Sequence, residues 1–155
     1  MNLLRNLIAL AILGLSLAAQ AQWTPLPAVG QVSLPLDAEP GAIALASATR
    51  VLAVGTASPA GVVLVNPDSG AIISRIALSA QPRALAIDAS AGKVYVIDDV
   101  SANSVKVLDV ATATVVANWS LGGDLSALAL TPSGNQLIVA DRAGKKLLTI
   151  AVANG

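Results

Sequence analysis

A repeat of about 42 residues restricts the fold of this sequence more than any other feature. Three stretches align: PGAIALASATRVLAVG from Pro40, PRALAIDASAGKVYVID from Pro82 and LSALALTPSGNQLIVAD from Leu125. One set of matching positions, at intervals of 42 and 43 residues, is Ala42, Ala84 and Ala127. A second set, at intervals of 43 residues, is Val51, Val94 and Leu137. Self-similarity of this period is typical of architectures built from one repeated supersecondary unit.

Each repeat reads as a series of short β-strands. The apolar runs are β-branched or alternating, and Gly, Pro, Ser, Asn and Asp separate them. In the second repeat the predicted strands are Arg83–Asp88, Lys93–Asp98, Ser104–Asp109 and Thr114–Leu121. Four strands per unit are typical of a β-propeller blade, so we predict an all-β fold with repeats over 40–80, 82–123 and 125–155. The alanine-rich strand RALAID is predicted to be innermost, because blades crowd together near their common axis.

The third repeat lacks a predicted fourth strand. The first repeat has one at Ala71–Leu78, but the third ends in LLTIAVANG, where Asn-Gly indicates a hairpin turn. An unassigned strand, VGQVSLPLD at Val29–Asp37, precedes the first repeat, and its Val32-x-Leu34 matches Ile76-x-Leu78. We therefore expect this N-terminal strand to supply the outer strand of the last blade.

Three blades are fewer than the four to eight of typical closed propellers. An isolated three-blade arc would expose a large apolar patch on each end blade, which monomers rarely tolerate. Three arrangements remain open at this point: a homodimer that closes a six-bladed ring, a fragment of a longer propeller, and an open arc.

The N-terminal segment has the layout of a secretory signal peptide. Arg5 supplies a basic end, Leu7–Ala19 is almost wholly apolar, and Ala19-Gln20-Ala21 forms a small-residue cleavage site. The apolar run is shorter than the roughly 20 residues that span a bilayer. We predict a signal peptide at 1–21, a repeat domain at 22–155, a periplasmic or extracellular location, and no membrane attachment after cleavage.

Composition excludes several kinds of chemistry. The chain has no cysteine and no histidine, so it offers no disulfide, no thiolate nucleophile and no imidazole base or ligand. Its nine basic and nine acidic side chains show no cationic face, so no nucleic acid partner is expected. Nucleophile elbows, phosphate loops and dense acidic calcium loops are also missing from the sequence. We predict no catalytic residue, no metal site and no cofactor.

Three polar residues are the candidate ligand-binding positions. Asp98 and Asp141 occupy equivalent positions at strand ends, where they could hold Ca²⁺ or a polar ligand, or cap tight turns. Arg83 begins an inner strand, where it could meet an anionic ligand or extend into solvent. Tyr95 and Trp119 are spaced like core residues of a blade.

The repeat resembles a known family. VYVID at 94–98, with LAVG and IVAD in the sister repeats, is similar to the YVTN β-propeller repeat of bacterial and archaeal extracytoplasmic proteins. QPRALAIDASAGK and VKVLDVATATVV resemble the neighbouring strands and turns of that repeat, and the resemblance covers residues 29–155. The last position of the tetrapeptide is assigned to Gly55, Asp98 and Asp141 here.

The resemblance implies a fold shared by sensors, scaffolds, surface-layer proteins, lactonases and quinoprotein dehydrogenase subunits. We expect a secreted or periplasmic, non-catalytic module that binds a protein or a small molecule, or acts as a scaffold. The alternative is a fragment or subunit of a propeller enzyme of the lactonase or quinoprotein type. That alternative predicts that Asp37, Glu39, Arg83 and Asp124 converge around a metal ion.

Overall fold

The computed structural model describes residues 36–154 of the chain. This part of the chain contains eleven short strands in three antiparallel sheets. The strands are β1 (Pro40–Ala46), β2 (Val51–Ala57), β3 (Ala60–Val65), β4 (Ile72–Ala77), β5 (Pro82–Asp88), β6 (Lys93–Asp98), β7 (Ser104–Asp109), β8 (Thr114–Ser120), β9 (Leu125–Leu130), β10 (Gln136–Asp141) and β11 (Lys146–Ala151). Within this range the only helical element is a short 3-10 turn at Val152–Asn154, and no helix could cross a membrane.

The three sheets are propeller blades, as the repeat predicts. Blade 1 has the order β1-β2-β3-β4, blade 2 the order β5-β6-β7-β8, and blade 3 the order β9-β10-β11. Each sheet is a meander of sequential antiparallel strands, because tight turns containing Gly, Asn, Asp, Ser or Thr join the apolar runs. The predicted strands of the second repeat agree with the observed ones to within one residue.

Two predictions concern residues beyond this range. The predicted signal peptide at 1–21, and all but the last two residues of the predicted strand Val29–Asp37, lie outside the described residues. Leu36 and Asp37 do not belong to a strand. Blade 3 has three strands among residues 36–154, so the source of its outer strand stays a prediction.

Strand pairing corrects the sequence alignment of blade 1 by one residue. Ala44 pairs with Ala53, as Ala86 pairs with Tyr95, so the equivalent of Val94 is Leu52 and not Val51. The sequence alignment matched Val51 with Val94 because both residues are valine. In the structure, Val51 pairs with Ala46 at the end of its hairpin and therefore lies one residue before the equivalent of Val94. The same shift places Thr56, not Gly55, at the position of Asp98 and Asp141.

Two apolar clusters hold the blades together. One lies between blades 1 and 2 around Leu64, Val94 and Leu108, and the other between blades 2 and 3 around Tyr95, Val105 and Leu137. Tyr95 is buried, and its ring centroid lies 5.7 Å from that of Trp119, which packs against the second cluster. The prediction that both aromatic residues belong to the core is confirmed.

Candidate functional sites at the two ends of the inner strands

The inner strands β1, β5 and β9 lie side by side and run in the same direction. Asp124, just before β9, contacts Arg83 near the start of β5, and Gly134, beyond the end of β9, lies against Asp88 at the end of β5. Neighbouring inner strands therefore begin together and end together. We call these two regions the starting end and the turn end.

The starting end carries a chain of ion pairs that joins blades 2 and 3. Arg83 Nε lies 3.0 Å from Asp99 Oδ1, and Arg83 Nη1 lies 3.0 Å from Asp124 Oδ1. Arg142 Nη2 lies 2.5 Å from the second oxygen of Asp124. The expectation that Arg83 simply extends into solvent is wrong, because two carboxylates from neighbouring blades hold its guanidinium.

These ion pairs keep their members charged. The hydrogen bond to Asp99 is the main reason that the pKa of Arg83 is raised, and Asp124 adds to the effect. The pKa of Asp124 is lowered, chiefly by its hydrogen bond from Arg142 and also by Arg83. A general acid at neutral pH needs a raised carboxyl pKa, so this arrangement stabilises the contact between blades and is unsuited to proton transfer.

Asp98 and Asp141 secure the turns that follow their strands. Asp98 accepts a hydrogen bond of 2.6 Å from the Ser101 amide, and Asp141 accepts one of 3.0 Å from the Gly144 amide. The Gly144 bond is the main reason that the pKa of Asp141 is lowered. In blade 1, Thr56 Oγ1 donates a bond of 2.7 Å to the carbonyl three residues later. One position therefore secures the same turn in all three blades, as the turn-capping interpretation expects.

Asp98 also has a cationic partner that sequence reasoning missed. Lys106 Nζ pairs with Asp98 Oδ2, and both groups are largely buried. Lys106 lies directly opposite Val96, two residues from Asp98 on the same side of the strand. Such diagonal neighbours are within reach of long side chains, so the hairpin register between β6 and β7 contained the signal.

The residues named by the enzyme alternative do not converge. Arg83 and Asp124 meet, but the Asp37 carboxylate lies 3.7 Å from Arg75 instead. For Glu39 the observed contact is through its backbone carbonyl, which accepts a 3.0 Å hydrogen bond from the Ala57 amide. Between residues 36 and 154, no group of three acidic side chains is arranged to hold a metal ion.

The turn end contains a cavity of about 280 Å³, with a lining that is both polar and apolar. Turns from all three blades line it, and their hydroxyl-bearing residues are Ser47, Thr49, Ser90, Thr131 and Ser133. Among residues 36–154, Asp88 is the one charged residue in this lining. Sequence reasoning did not single out this cavity, because its polar residues come from three turns that are distant in the chain.

Asp88 is positioned so that one of its oxygens faces the next blade. The residue is 8% exposed, and its Oδ1 accepts bonds of 2.5 Å from Ser90 Oγ and 3.0 Å from the Ala91 amide. Its Oδ2 lies 3.1 Å from the place that a Cβ on Gly134 would occupy, and no hydrogen bond to Oδ2 is observed within residues 36–154. A larger residue at 134 would crowd this oxygen, so the glycine keeps it accessible at the edge of the cavity.

Comparison with known proteins identifies the fold and nothing finer. No family model matches the chain, and no curated protein matches it. Hydrazine synthase of Kuenenia stuttgartiensis is 20% identical, with a TM-score of 0.55 over 87% of this chain and 40% of that one. A chain of the mitotic checkpoint complex is 16% identical, with a TM-score of 0.60 over 73% of this chain and 36% of that one. The chain thus spans less than half the length of these propeller-containing structures.

Proposed function

We propose that the chain is a secreted or periplasmic YVTN-type propeller module that binds other molecules or acts as a scaffold, without catalysing a reaction. One observation carries the proposal: the candidate charges Arg83, Asp98 and Asp141 are already engaged with neighbouring residues, whereas the turn-end cavity keeps an accessible carboxylate oxygen. Loops held by rigid strands are common sites of binding.

The chemistry of the cavity favours a small ligand that donates hydrogen bonds. Asp88 Oδ2 is an acceptor, and the surrounding hydroxyls can donate or accept. An anionic ligand would be repelled by Asp88, since the described part of the chain places no cation in the lining of the cavity. A volume of about 280 Å³ is close to the lower limit of typical ligand sites. A polyol or a monosaccharide fits these properties best.

A titration followed by amide NMR tests this binding function. With glycerol and D-glucose as probes, we expect shift changes confined to the three turns that line the cavity, at 46–49, 89–92 and 131–135. Asp88→Asn should weaken them several-fold, because the amide keeps an acceptor for the turn but loses the charge. Asp109→Asn, which changes a turn-capping carboxylate outside the cavity, should leave them unaltered. Shift changes that are absent or spread over the surface would contradict the proposal.

The cellular and catalytic parts of the proposal have separate tests. Fractionation and N-terminal sequencing should recover the chain outside the cytoplasm, beginning at Gln22. A chain that stays in the cytoplasm would overturn the predicted export. Hydrolysis of a lactone by the folded protein with Ca²⁺ would favour the enzyme alternative over a binding module.

A further inference from the structure

The two sides of each blade differ in residue size along the inner strand. On one side, which we call the small side, the inner-strand residues are Ala42 and Ala44, Ala84 and Ala86, and Ala127 and Ala129. On the other side, the large side, they are Ile43 and Leu45, Leu85 and Ile87, and Leu128 and Leu130. Because neighbouring residues of a strand point to opposite faces, the alternation of alanine with leucine or isoleucine creates this difference.

Both joints within the chain pack a small side against a large side. Between blades 1 and 2, the alanines of β1 share a cluster with Leu85 and Ile87. Between blades 2 and 3, the alanines of β5 share a cluster with Leu128 and Leu130. Alanine lets the neighbouring inner strand approach, and the larger residues fill the space between the sheets.

Blade 3 leaves its small side exposed. Ile138 is 36% exposed and Leu147 is 70% exposed. The equivalent residues of blade 2, Tyr95 and Val105, are 1% and 0% exposed because blade 3 covers them. The strand pairing has the same register in both blades, so that Ile138 corresponds to Tyr95 and Leu147 to Val105. The small side of blade 3 therefore carries apolar residues like those of a blade interface, but no blade among residues 36–154 covers it.

Blade 1 leaves the inner strand of its large side exposed. Ile43 and Leu45 are 67% and 59% exposed, whereas Leu85, the equivalent of Ile43, is 7% exposed. Farther from the inner strand on this side, Val54 and Val63 are buried. The exposed part is thus the pair of large residues that, in blades 2 and 3, packs on the alanines of the preceding blade.

We propose that the small side of blade 3 binds the large side of blade 1 in a second copy of the chain. The exposed inner strand of blade 1, at Ile43 and Leu45, and the exposed small side of blade 3 are complementary by the rule that both internal joints follow. Two copies joined twice in this way give six blades, which is within the four to eight of closed propellers, whereas three copies would give nine. This inference rests on the blade faces and does not depend on the turn-end cavity.

Polar residues at the starting end fit the same joint. Within the chain, Asp124 of blade 3 binds Arg83 of blade 2. Repeat alignment places Glu39 of blade 1 at the position of Asp124, and Ser126 of blade 3 at the position of Arg83. Within the chain, the Ser126 hydroxyl donates a long bond of 3.5 Å to the Ala140 carbonyl. Across the proposed joint, it would instead donate to the Glu39 carboxylate of the other copy. Ser126→Arg should replace this hydrogen bond with an ion pair like that of Arg83.

Light scattering on the chain, expressed from its first residue, tests the joint. We expect twice the mass of one chain. Leu147→Asp and Ile43→Asp should each halve the mass while the circular dichroism spectrum stays unchanged, because each places a carboxylate in the apolar joint. Val116→Asp, an exposed position on the outer strand of blade 2, is the control and should keep the dimer. Ser126→Arg should lower the dissociation constant several-fold.

Each other result counts against the joint. A folded wild-type monomer would overturn the proposal, and so would a Leu147→Asp variant that stays dimeric. A mass of three or more chains would contradict a closed ring of two copies. If Leu147→Asp unfolds, Leu147→Ser provides the same comparison with a smaller polar change.

Discussion

Blade 2 and blade 3 have the same strand register, but their equivalent side chains lie in different environments. Tyr95 and Val105 of blade 2 are enclosed, and the exposed Ile138 and Leu147 take their places in blade 3. Asp98 of blade 2 pairs with the largely buried Lys106, whereas Asp141 of blade 3 lies 3.9 Å from the exposed Lys146. Local hairpins fix the register of each blade, but the neighbouring blade decides how much each position contributes to stability.

The largest difference in stability between blades 2 and 3 should appear at the position of Tyr95. Tyr95→Ala removes a buried ring from the joint and should lower the free energy of unfolding by about 3–5 kcal/mol. Ile138→Ala, at the equivalent position of blade 3, should cost less than about 1 kcal/mol in the dissociated chain, because this side chain is already partly solvated. Urea denaturation of both variants, each made in the monomeric Leu147→Asp background, checks the contrast, and equal losses there would contradict it.

A smaller contrast is expected at the turn-capping aspartates. Asp98→Ala leaves Lys106, which is 15% exposed, without its partner and should destabilise the chain by about 2–3 kcal/mol. Asp141→Ala removes an equivalent turn cap and the acceptor of the Asp124 amide, but the cation that it leaves behind is the solvated Lys146, so its effect should be smaller. Thermal unfolding ranks the two variants, and the reverse ranking would show that the buried Lys106 is not the decisive difference.

Acid should weaken blade 2 through Asp109. The hydrogen bond from Lys93, with a further bond from the Thr112 amide, lowers the pKa of Asp109 from 3.8 to about 2. Because the folded chain favours the ionised form, this stabilisation is complete above about pH 3.8 and is lost as the pH falls through 2. Between pH 4 and 2, the melting temperature of Asp109→Asn should fall less than that of the unmodified chain. Asp68→Asn, an exposed turn residue of blade 1, is the charge-matched control.

The smallest effect should come from the ion pairs between blades 2 and 3. Arg83→Lys keeps the charge but cannot bind Asp99 and Asp124 with two separate nitrogen atoms. Since exposed ion pairs contribute little, we expect a small fall in melting temperature that disappears at high salt. A large, salt-independent fall would show that the joint depends on Arg83 more than on its apolar cluster.

The sequence was sufficient for the strands but not for the contacts between blades. Alternating apolar runs and turn residues located β5 to β8 closely, because these signals are local. The assignment of Gly55 failed because residue type cannot distinguish Val51 from Leu52, whereas strand pairing can. Arg83 and Asp124 are 41 residues apart, and their contact depends on how two sheets pack. The cavity around Asp88 was missed for the same reason.

Cross-linking of mixed cysteine variants tests the joint between copies most directly. The chain contains no cysteine, so Glu39→Cys and Ser126→Cys can be purified separately, mixed and treated with a short bismaleimide. Arg83→Cys/Asp124→Cys serves as the reference joint within one chain. We predict a covalent dimer from the mixture, linked between residues 39 and 126, and little from either variant alone. A mixture that yields no dimer, while the reference pair reacts, would contradict the account.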